Sequence, residues 1–228
     1  MSAWLDKLYE TFIAKSYYTM MLEGLKNTLI ITLCALCIGV VLGSLIAVVK
    51  YMGDDVKGLK PVVKILDAYV TAIRGIPVVV LLLIFYFVIL KAADGLTVAI
   101  IAFGINSSAY MAEVIRSGIN AVDKGQMEAG RSLGMSKVQC TWKVILPQAI
   151  RNILPAIGNE LIALLKETSV AGYVAIVDLT RAGNLVRNNT YDAVNTLGVV
   201  ALTYLIMVII LTQLLGIFER RLAKSDKR

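Results

Sequence analysis

The sequence predicts an all-α integral membrane protein with five transmembrane helices and a helix–turn–helix loop on the cytoplasmic side. Three observations carry this. The 228 residues are 58% hydrophobic and only 17% charged, an apolar excess uncommon in a soluble domain of this length. Apolar runs of membrane length recur along the chain. The basic residues gather in alternate connections between those runs, the pattern that membrane topology produces.

Three runs, 27–49, 96–115 and 197–218, each supply roughly 20 or more mostly apolar residues, and about 20 cross a hydrocarbon core of about 30 Å. Two more, 61–90 and 153–177, are long enough but carry polar residues or proline, which makes five expected spans. Lys50, Lys57, Lys60 and Lys64 lie between spans one and two. Arg116, Lys124, Arg131, Lys137, Lys143 and Arg151 lie between spans three and four, and Arg220, Arg221, Lys224, Lys227 and Arg228 follow span five. The remaining connections hold Lys91, Arg181 and Arg187. An excess of Lys and Arg marks the cytoplasmic face, so the N-terminus is expected outside and the C-terminus in the cytoplasm. This topology accounts for the net charge of +7 without a nucleic-acid partner.

No histidine is present, which removes the commonest general base and metal ligand. Cys34, Cys37 and Cys140 are an odd count and argue against a disulfide framework. The C-x-x-C of Cys34 and Cys37 lies inside an apolar run, where buried packing thiols are expected in place of a redox or metal pair. No G-x-x-x-x-G-K-[ST] loop occurs, so ATP hydrolysis by that route is excluded. With no zinc spacing and no nucleophile constellation, the chain is expected to be no enzyme and to bind no cofactor or metal itself.

Residues 1–24, with Trp4, Tyr9, Phe12, Tyr17 and Tyr18, read as an amphipathic segment at the outer interface, where aromatic residues gather. Contact with an external partner is the alternative. No cleavage-site pattern follows an apolar core there, so the first span is expected to act as an uncleaved signal. In span one, Gly39, Gly43 and Ala47 recur every four residues, a spacing that lets helices approach closely. A cytoplasmic turn at 51–60 leads into the second span. A straight helix over 61–90 would be about 45 Å long. Its first half is therefore expected inclined or in the membrane plane, with a break at Gly75-Ile76-Pro77 and an apolar second half crossing the bilayer.

Span three carries Asn106, Ser107, Tyr110 and Glu113. Asn106, Tyr110 and Glu113 stand at i, i+4 and i+7, on one helical face. Polar groups at membrane depth face a cavity or a partner helix. Two readings are open: interhelical hydrogen bonds, or a stripe lining a substrate path. Arg116 and Arg74 are candidate ion-pair partners for Glu113.

The longest polar, basic insert is residues 125–147. Gln126 to Leu133 is a good helix-forming run, and Gly134 stands where a left-handed C-cap is wanted. Ser136 and Gln139 have capping-box spacing, with Met135 and Cys140 at the two positions of a hydrophobic staple. Pro147 is expected to stop or redirect the chain beyond it. Two short helices joined at a glycine would offer a rigid knob outside the bilayer.

Span four carries Glu160, Lys166 and Glu167. Glu160, Leu164 and Glu167 share a face, while Lys166 turns away from it. The polar run Lys166 to Ser169 is expected to interrupt the helix where backbone lines a cavity. Glu160 either meets a substrate ammonium group or forms an intersubunit or interhelical ion pair. Residues 178–195 are polar and turn-rich and read as one long external loop. Span five ends in the basic anchor Glu219-Arg220-Arg221.

The polar insert resembles the EAA loop of ABC importer permeases, whose pattern is E-A-A, three residues, G, nine residues, then I-x-L-P. Glu128, Ala129 and Gly134 match, and nine residues later come Val144, Ile145, Leu146 and Pro147. Gly130 replaces the second alanine and Val144 the isoleucine. Arg74-Gly75-Ile76-Pro77 is similar to the R-G-x-P segment of the polar amino acid branch of these permeases. Residues 106–119, NSSAYMAEVIRSGI, resemble its stretch S-x-A-Y-x-A-E-x-x-R-x-G-I, and Leu164 to Ser169 its L-L-K-[DE]-T-S string.

This resemblance covers about residues 25–220. It implies a five-span permease of a bacterial inner membrane, paired with a second permease subunit as a homodimer or heterodimer. Two ABC ATPase subunits, which use ATP and Mg, would dock beneath it, and an extracytoplasmic solute-binding protein would deliver a polar amino acid. The chain would divide into an interfacial segment 1–24, a permease domain 25–220 with its coupling loop at 124–147, and a basic tail 221–228. The resemblance makes Gln126, Glu128, Ala129, Gly130, Gly134 and Pro147 the ATPase-coupling residues, with Gly134 as the turn. Asn106, Ser107, Tyr110, Glu113, Glu160 and Lys166 are the candidate substrate-binding residues, and Gly75 and Pro77 the helix break. An ion-gradient-driven carrier or channel is the alternative. Five spans, one structured insert and the lack of an internal repeat favour the importer. A membrane scaffold without transport would leave Glu113, Glu160 and Lys166 without a reason to be buried.

Overall fold

The structure, a computed structural model, describes residues 8–53 and 56–225. Trp4, at the interfacial segment's start, and Asp54, Asp55, Lys227 and Arg228 lie outside these. Among the described residues every regular element is helical. In chain order the α-helices are α1 (Tyr17–Gly53), α2 (Lys60–Gly75), α3 (Val78–Ile84), α4 (Gly95–Asn120), α5 (Lys124–Ser132), α6 (Lys137–Cys140), α7 (Leu146–Glu167), α8 (Leu179–Thr190) and α9 (Ala193–Ser225). Tyr17–Gly53, Gly95–Asn120 and Ala193–Leu222 are each long and apolar enough to cross a membrane. Lys60–Gly75 and Val78–Ile89 meet at an angle of 107° and together would make a fourth span. The break lies where expected, because Ile76 and Pro77 are both extended and proline cannot donate to the preceding turn.

The chain divides into two compact units. The first gathers Met1–Ala35, Pro77–Phe103 and Ile162–Gln213. Its core is Phe12, Met21, Leu179, Ala182, Val186 and Val200. Of the N-terminal segment expected at the interface, Tyr9–Ala14 forms a π-helical turn and the residues from Tyr17 on already belong to α1.

The external loop expected at 178–195 is largely a helix, α8. Asp178 is its N-cap, accepting hydrogen bonds from the Thr180 and Arg181 N–H groups at 2.8 and 3.2 Å. Leu179, Ala182, Gly183 and Val186, at i, i+3, i+4 and i+7, are its buried face. α1 holds the start of this helix: the Leu179 N–H donates to Thr28 Oγ1 at 3.1 Å, and Asn27 Nδ2 donates to the Val177 carbonyl at 2.9 Å. Burial pushes the Asp178 carboxyl up from the ordinary carboxylate range, against the backbone hydrogen bonds that lower it.

The second unit gathers Leu36–Ile76, Gly104–Leu161 and Leu214–Arg228. Here α1 and α4 lie backbone against backbone. A Cβ at Gly39 would overlap Ser107, and one at Gly43 would overlap Met111, so the four-residue spacing of small residues is a helix-packing seam. Ala47 continues it into a cluster with Ile115, Val122, Ile145, Ala149 and Ile153.

Two local expectations are corrected. Cys34 and Cys37 are exposed on α1, and only Cys140 of the three thiols is buried. The buried stripe of α1 runs through Ile31, Ala35 and Gly39, which leaves positions 34 and 37 on the outer face of the helix. Pro147 neither stops nor redirects the chain. It lies inside a continuous helical run, with a π-helical turn at Thr141–Ile145 directly before it, the kind of local irregularity a helix carries where its hydrogen-bond ladder lacks an N–H. Gln148 Nε2 donates to the Val144 carbonyl at 2.9 Å beside it.

Candidate coupling loop and substrate path

Two groups of sequence-selected residues can be located, both in the second unit. The first is the polar insert. Asp123 caps α5, accepting from the Gly125 N–H at 2.6 Å. Sequence reasoning misses that cap, although an Asp directly before a helix-forming run is its usual signal. At the other end, Gly134 takes a φ of +84°, a region open to glycine at little cost. The Met135 N–H donates to the Gly130 carbonyl at 3.1 Å and the Gly134 N–H to the Arg131 carbonyl at 3.0 Å. This pair of hydrogen bonds is a Schellman motif closed at Gly134. Ser136 and Gln139 then form the capping box of α6.

Cys140 ties the two short helices together. Its thiol is buried and faces the Gln126 and Met127 carbonyls at 3.7 and 3.8 Å. A Cβ at Gly130 would overlap its sulfur, so glycine at 130 in place of alanine is what lets α6 close against α5. With Gly130 buried in this contact, Gln126, Glu128 and Ala129 are left exposed on α5, and Leu133 beyond it is 84% exposed. Gln126 also accepts from Gln148 Nε2 at 3.3 Å, which links the knob to the start of α7. Pro147 is exposed beside that contact.

The second group runs along α4. Asn106 and Ser107 are buried and Tyr110 and Glu113 half-buried. Ser107 Oγ donates to Glu160 Oε1 at 2.9 Å, which joins α4 to α7 through one of the two carboxylates selected from the sequence. Arg74 stands over the Tyr110 ring, with its guanidinium carbon 5.2 Å from the ring centroid, a cation–π arrangement. Glu113 pairs with Arg116 at 2.7 Å, as one expectation had it. Its second partner is Lys50 at 3.1 Å, and Lys50 also reaches Asp67 at 2.8 Å.

Sequence reasoning does not reach Lys50 and Asp67 as partners. They lie 63 and 46 positions from Glu113, and no local spacing announces them. Tyr69 adds another cross-helix contact, to Ser108 Oγ at 2.6 Å. A cavity of about 320 Å³ borders the Lys50, Asp67, Glu113 and Arg116 side chains. Lys166 belongs to the first unit and is exposed, which corrects the expectation that it is buried; it stands off the side of α7 that buries Leu164 and Leu165. α7 ends at Glu167, within the polar run expected to interrupt it, and Thr168–Val174 continues as a 3-10 helix.

Comparison with known proteins gives a consistent set of likenesses. The family described as "Binding-protein-dependent transport system inner membrane component" matches residues 39–224. The chain is 37% identical over 209 residues to the arginine transport system permease protein ArtQ of Bacillus subtilis (strain 168), covering 90% of this chain and 93% of that protein. It is likewise 37% identical over 211 residues to the probable glutamine ABC transporter permease protein GlnM of the same organism, covering 91% of this chain and 95% of that one. Among solved structures, it is similar to a crystal structure of an amino acid ABC transporter with histidines. That likeness has 41% identity and a TM-score of 0.84, over 92% of this chain and 98% of that chain.

Proposed function

The chain belongs to the binding-protein-dependent transport system inner membrane component family, and from that premise we propose that it is the membrane-spanning subunit of an ATP-driven importer of a polar amino acid. It crosses a bacterial inner membrane five times, with its N-terminus outside and its C-terminus in the cytoplasm. α7 and the 3-10 turn after it supply the span that α1, α4, α9 and the bent α2–α3 pair do not. The permease pairs with a second permease subunit. ATPase subunits beneath the pair hold ATP and Mg, and a solute-binding protein outside delivers the cargo.

α5 is the coupling helix of this reading. Gln126, Glu128 and Ala129 meet the ATPase, Gly130 and Gly134 shape the knob, and Pro147 passes its displacement to α7. One observation supports this above the rest: α5 is exposed on its outer side yet fixed at its back by Cys140 and at its end by the Gly134 motif. A helix held in that way moves as a body. Closure of the ATPase pair then rocks the permease subunits between inward and outward openings. Along the path, Asn106, Ser107, Tyr110 and Glu113 line the α4 side, and Glu160, oriented by Ser107, receives the ammonium group of the cargo.

The experiment that tests the assignment is a gentle detergent pull-down of the tagged chain from its own cells, with mass spectrometry of the proteins that stay bound. A stoichiometric P-loop ATPase, lost on Glu128→Arg, is the expected result. A chain that purifies alone and transports in ATP-free liposomes under an ion gradient overturns it.

A further inference from the structure

α8 turns its apolar residues inward and a different chemistry outward. Arg181, Asn184 and Asn188 stand at i, i+3 and i+7, opposite the buried Leu179, Ala182, Gly183 and Val186. An open hollow lies at each end of the helix, both within the first unit. The one at its start, of about 630 Å³, is bordered by Tyr173, Thr180, Arg181 and Asn184. The one at its end, of about 440 Å³, is bordered by Arg187, Asn188 and Tyr191. Each hollow therefore pairs an arginine with a tyrosine, two of the residue types that dominate binding hot spots. Tyr173 is 67% exposed and Tyr191 95%. Tyr191 also takes a φ of +55°, a backbone region costly to a bulky residue. With the ring almost wholly in solvent, packing within the chain does not offset that cost.

We propose that the outward side of α8, from Tyr173 to Val194, is the docking face for an extracytoplasmic solute-binding protein, and that Arg181 and Arg187 receive carboxylates of that protein. The proposal rests on the functional reading above, which puts α8 outside the membrane and gives the chain such a partner. Charge selects the chemistry. Every residue from Thr168 to Val194 is described, and the two acids among them, Asp178 and Asp192, are buried, while Arg181 is exposed and Arg187 half-buried. Asp178 borders the first hollow, where the Thr180 and Arg181 N–H groups hold its carboxylate. The Arg187 guanidinium donates to Asn188 Oδ1 at 3.2 Å, a neutral partner that leaves its charge in place. Lys91 and Asp94, in the connection before α4, are exposed and of opposite sign, so together they add no net charge. The outward charge of α8 is thus positive, against the topological bias that gathers Lys and Arg on the cytoplasmic side. An acidic face on the partner is its complement, and such complementarity sets encounter rate and register. The two arginines lie six residues apart, about 9 Å along the helix, which is the spacing the partner's carboxylates have to match.

Photoreactive benzoylphenylalanine replaces Tyr191 in the full-length chain in its own cells and, as a control, Leu205 on α9, which is 54% exposed. The expected product is an adduct at 191, absent at 205, with an exported protein that binds an amino acid when purified and whose linked peptide carries Asp or Glu. The affinity of that protein is then measured for the purified permease–ATPase complex in nanodiscs. Arg181→Glu with Arg187→Glu should weaken it about tenfold or more at low salt, and the difference should narrow as salt rises. Arg181→Lys with Arg187→Lys should keep most of the affinity. An unchanged basal ATPase rate in both variants shows that the complex is intact. No adduct at 191 overturns the proposal, as does an adduct with lipid alone, with the second permease subunit or with an ATPase. Equal affinity in the charge-reversed variant also overturns it. Uptake that depends on ATP and on the binding protein, together with that equal affinity, leaves the functional reading standing and removes α8 from the docking. The adduct and its salt-dependent affinity without ATP-dependent uptake support the docking face and count against the functional reading alone.

Discussion

The sulfur of Cys140 occupies the space that a side chain at position 130 would need. An alanine at 130, as in the E-A-A pattern, would therefore have to displace the Cys140 sulfur from its place in this loop. Gly130→Ala overpacks a closed contact, a class of change that costs about 1–3 kcal/mol. We expect it to lower the thermal midpoint of the purified permease and to slow uptake. Gly130→Ala combined with Cys140→Ala should recover both, since the second change removes the obstructing atom. A double variant no better than the single one would show that the fault lies elsewhere.

Gly134 closes the motif that ends α5, at a φ of +84°. Proline fixes φ near −65° and lacks the N–H that Gly134 donates to Arg131. Gly134→Pro is expected to abolish uptake while the chain inserts into the membrane in normal amount. Glu128→Arg reverses a charge on the exposed side of α5, and it should have the same effect on uptake. Immunoblots of the membrane fraction and uptake of radiolabelled amino acids check both. Normal uptake in the two variants would dissociate the loop from energy transmission.

Glu160 is held by Ser107 at 2.9 Å on a half-buried stretch of α7. If its carboxylate receives the cargo's ammonium group, Glu160→Gln removes a charge-assisted contact of about 1.5–3 kcal/mol. Uptake should fall by about tenfold or more on that scale, with ATPase co-purification unchanged. Ser107→Ala, which loosens the carboxylate without discharging it, should give a smaller loss. Unchanged transport in Glu160→Gln would assign the carboxylate to packing.

Lys50 bridges Asp67 and Glu113 and is only 11% exposed, while Arg116, on the far side of Glu113, is 47% exposed. Asp67 is half-exposed, so breaking this bridge costs less than the about 3–5 kcal/mol of a fully buried pair, and more than the about 1 kcal/mol or less that an exposed pair contributes. Lys50→Met should therefore lower the thermal midpoint clearly more than Arg116→Met. Adding Asp67→Asn and Glu113→Gln to Lys50→Met should restore part of the loss. Equal midpoints for the two single variants would place the network in open solvent.

The parts of this molecule legible in its sequence are those with short periods. The small-residue seam of Gly39 and Gly43, the break at Ile76–Pro77, the Gly134 turn and the capping box of Ser136 each rest on neighbours within about one helical turn. α8 reads as a loop for a definable reason. Asn, Gly, Thr and Asp dominate residues 178–195, and their turn chemistry outweighs a buried face of only four small or apolar residues. The Asp178 cap followed by Leu179 is the available signal. Long-range partners such as Lys50 for Glu113, Arg74 for Tyr110 and Ser107 for Glu160 have no signature, because helix packing alone decides which faces meet.

Within the second unit the chain is helical without a break from Lys137 to Leu161, through α6, the π-turn and most of α7. At 1.5 Å per residue that is roughly 37 Å of helix. Pro155 inside α7 removes one hydrogen bond from the ladder and makes that point the place where the helix bends. The π-turn adds a residue to one winding, so the faces before and after it are out of phase. A displacement at Cys140 would therefore reach Glu160 as both a tilt and a roll.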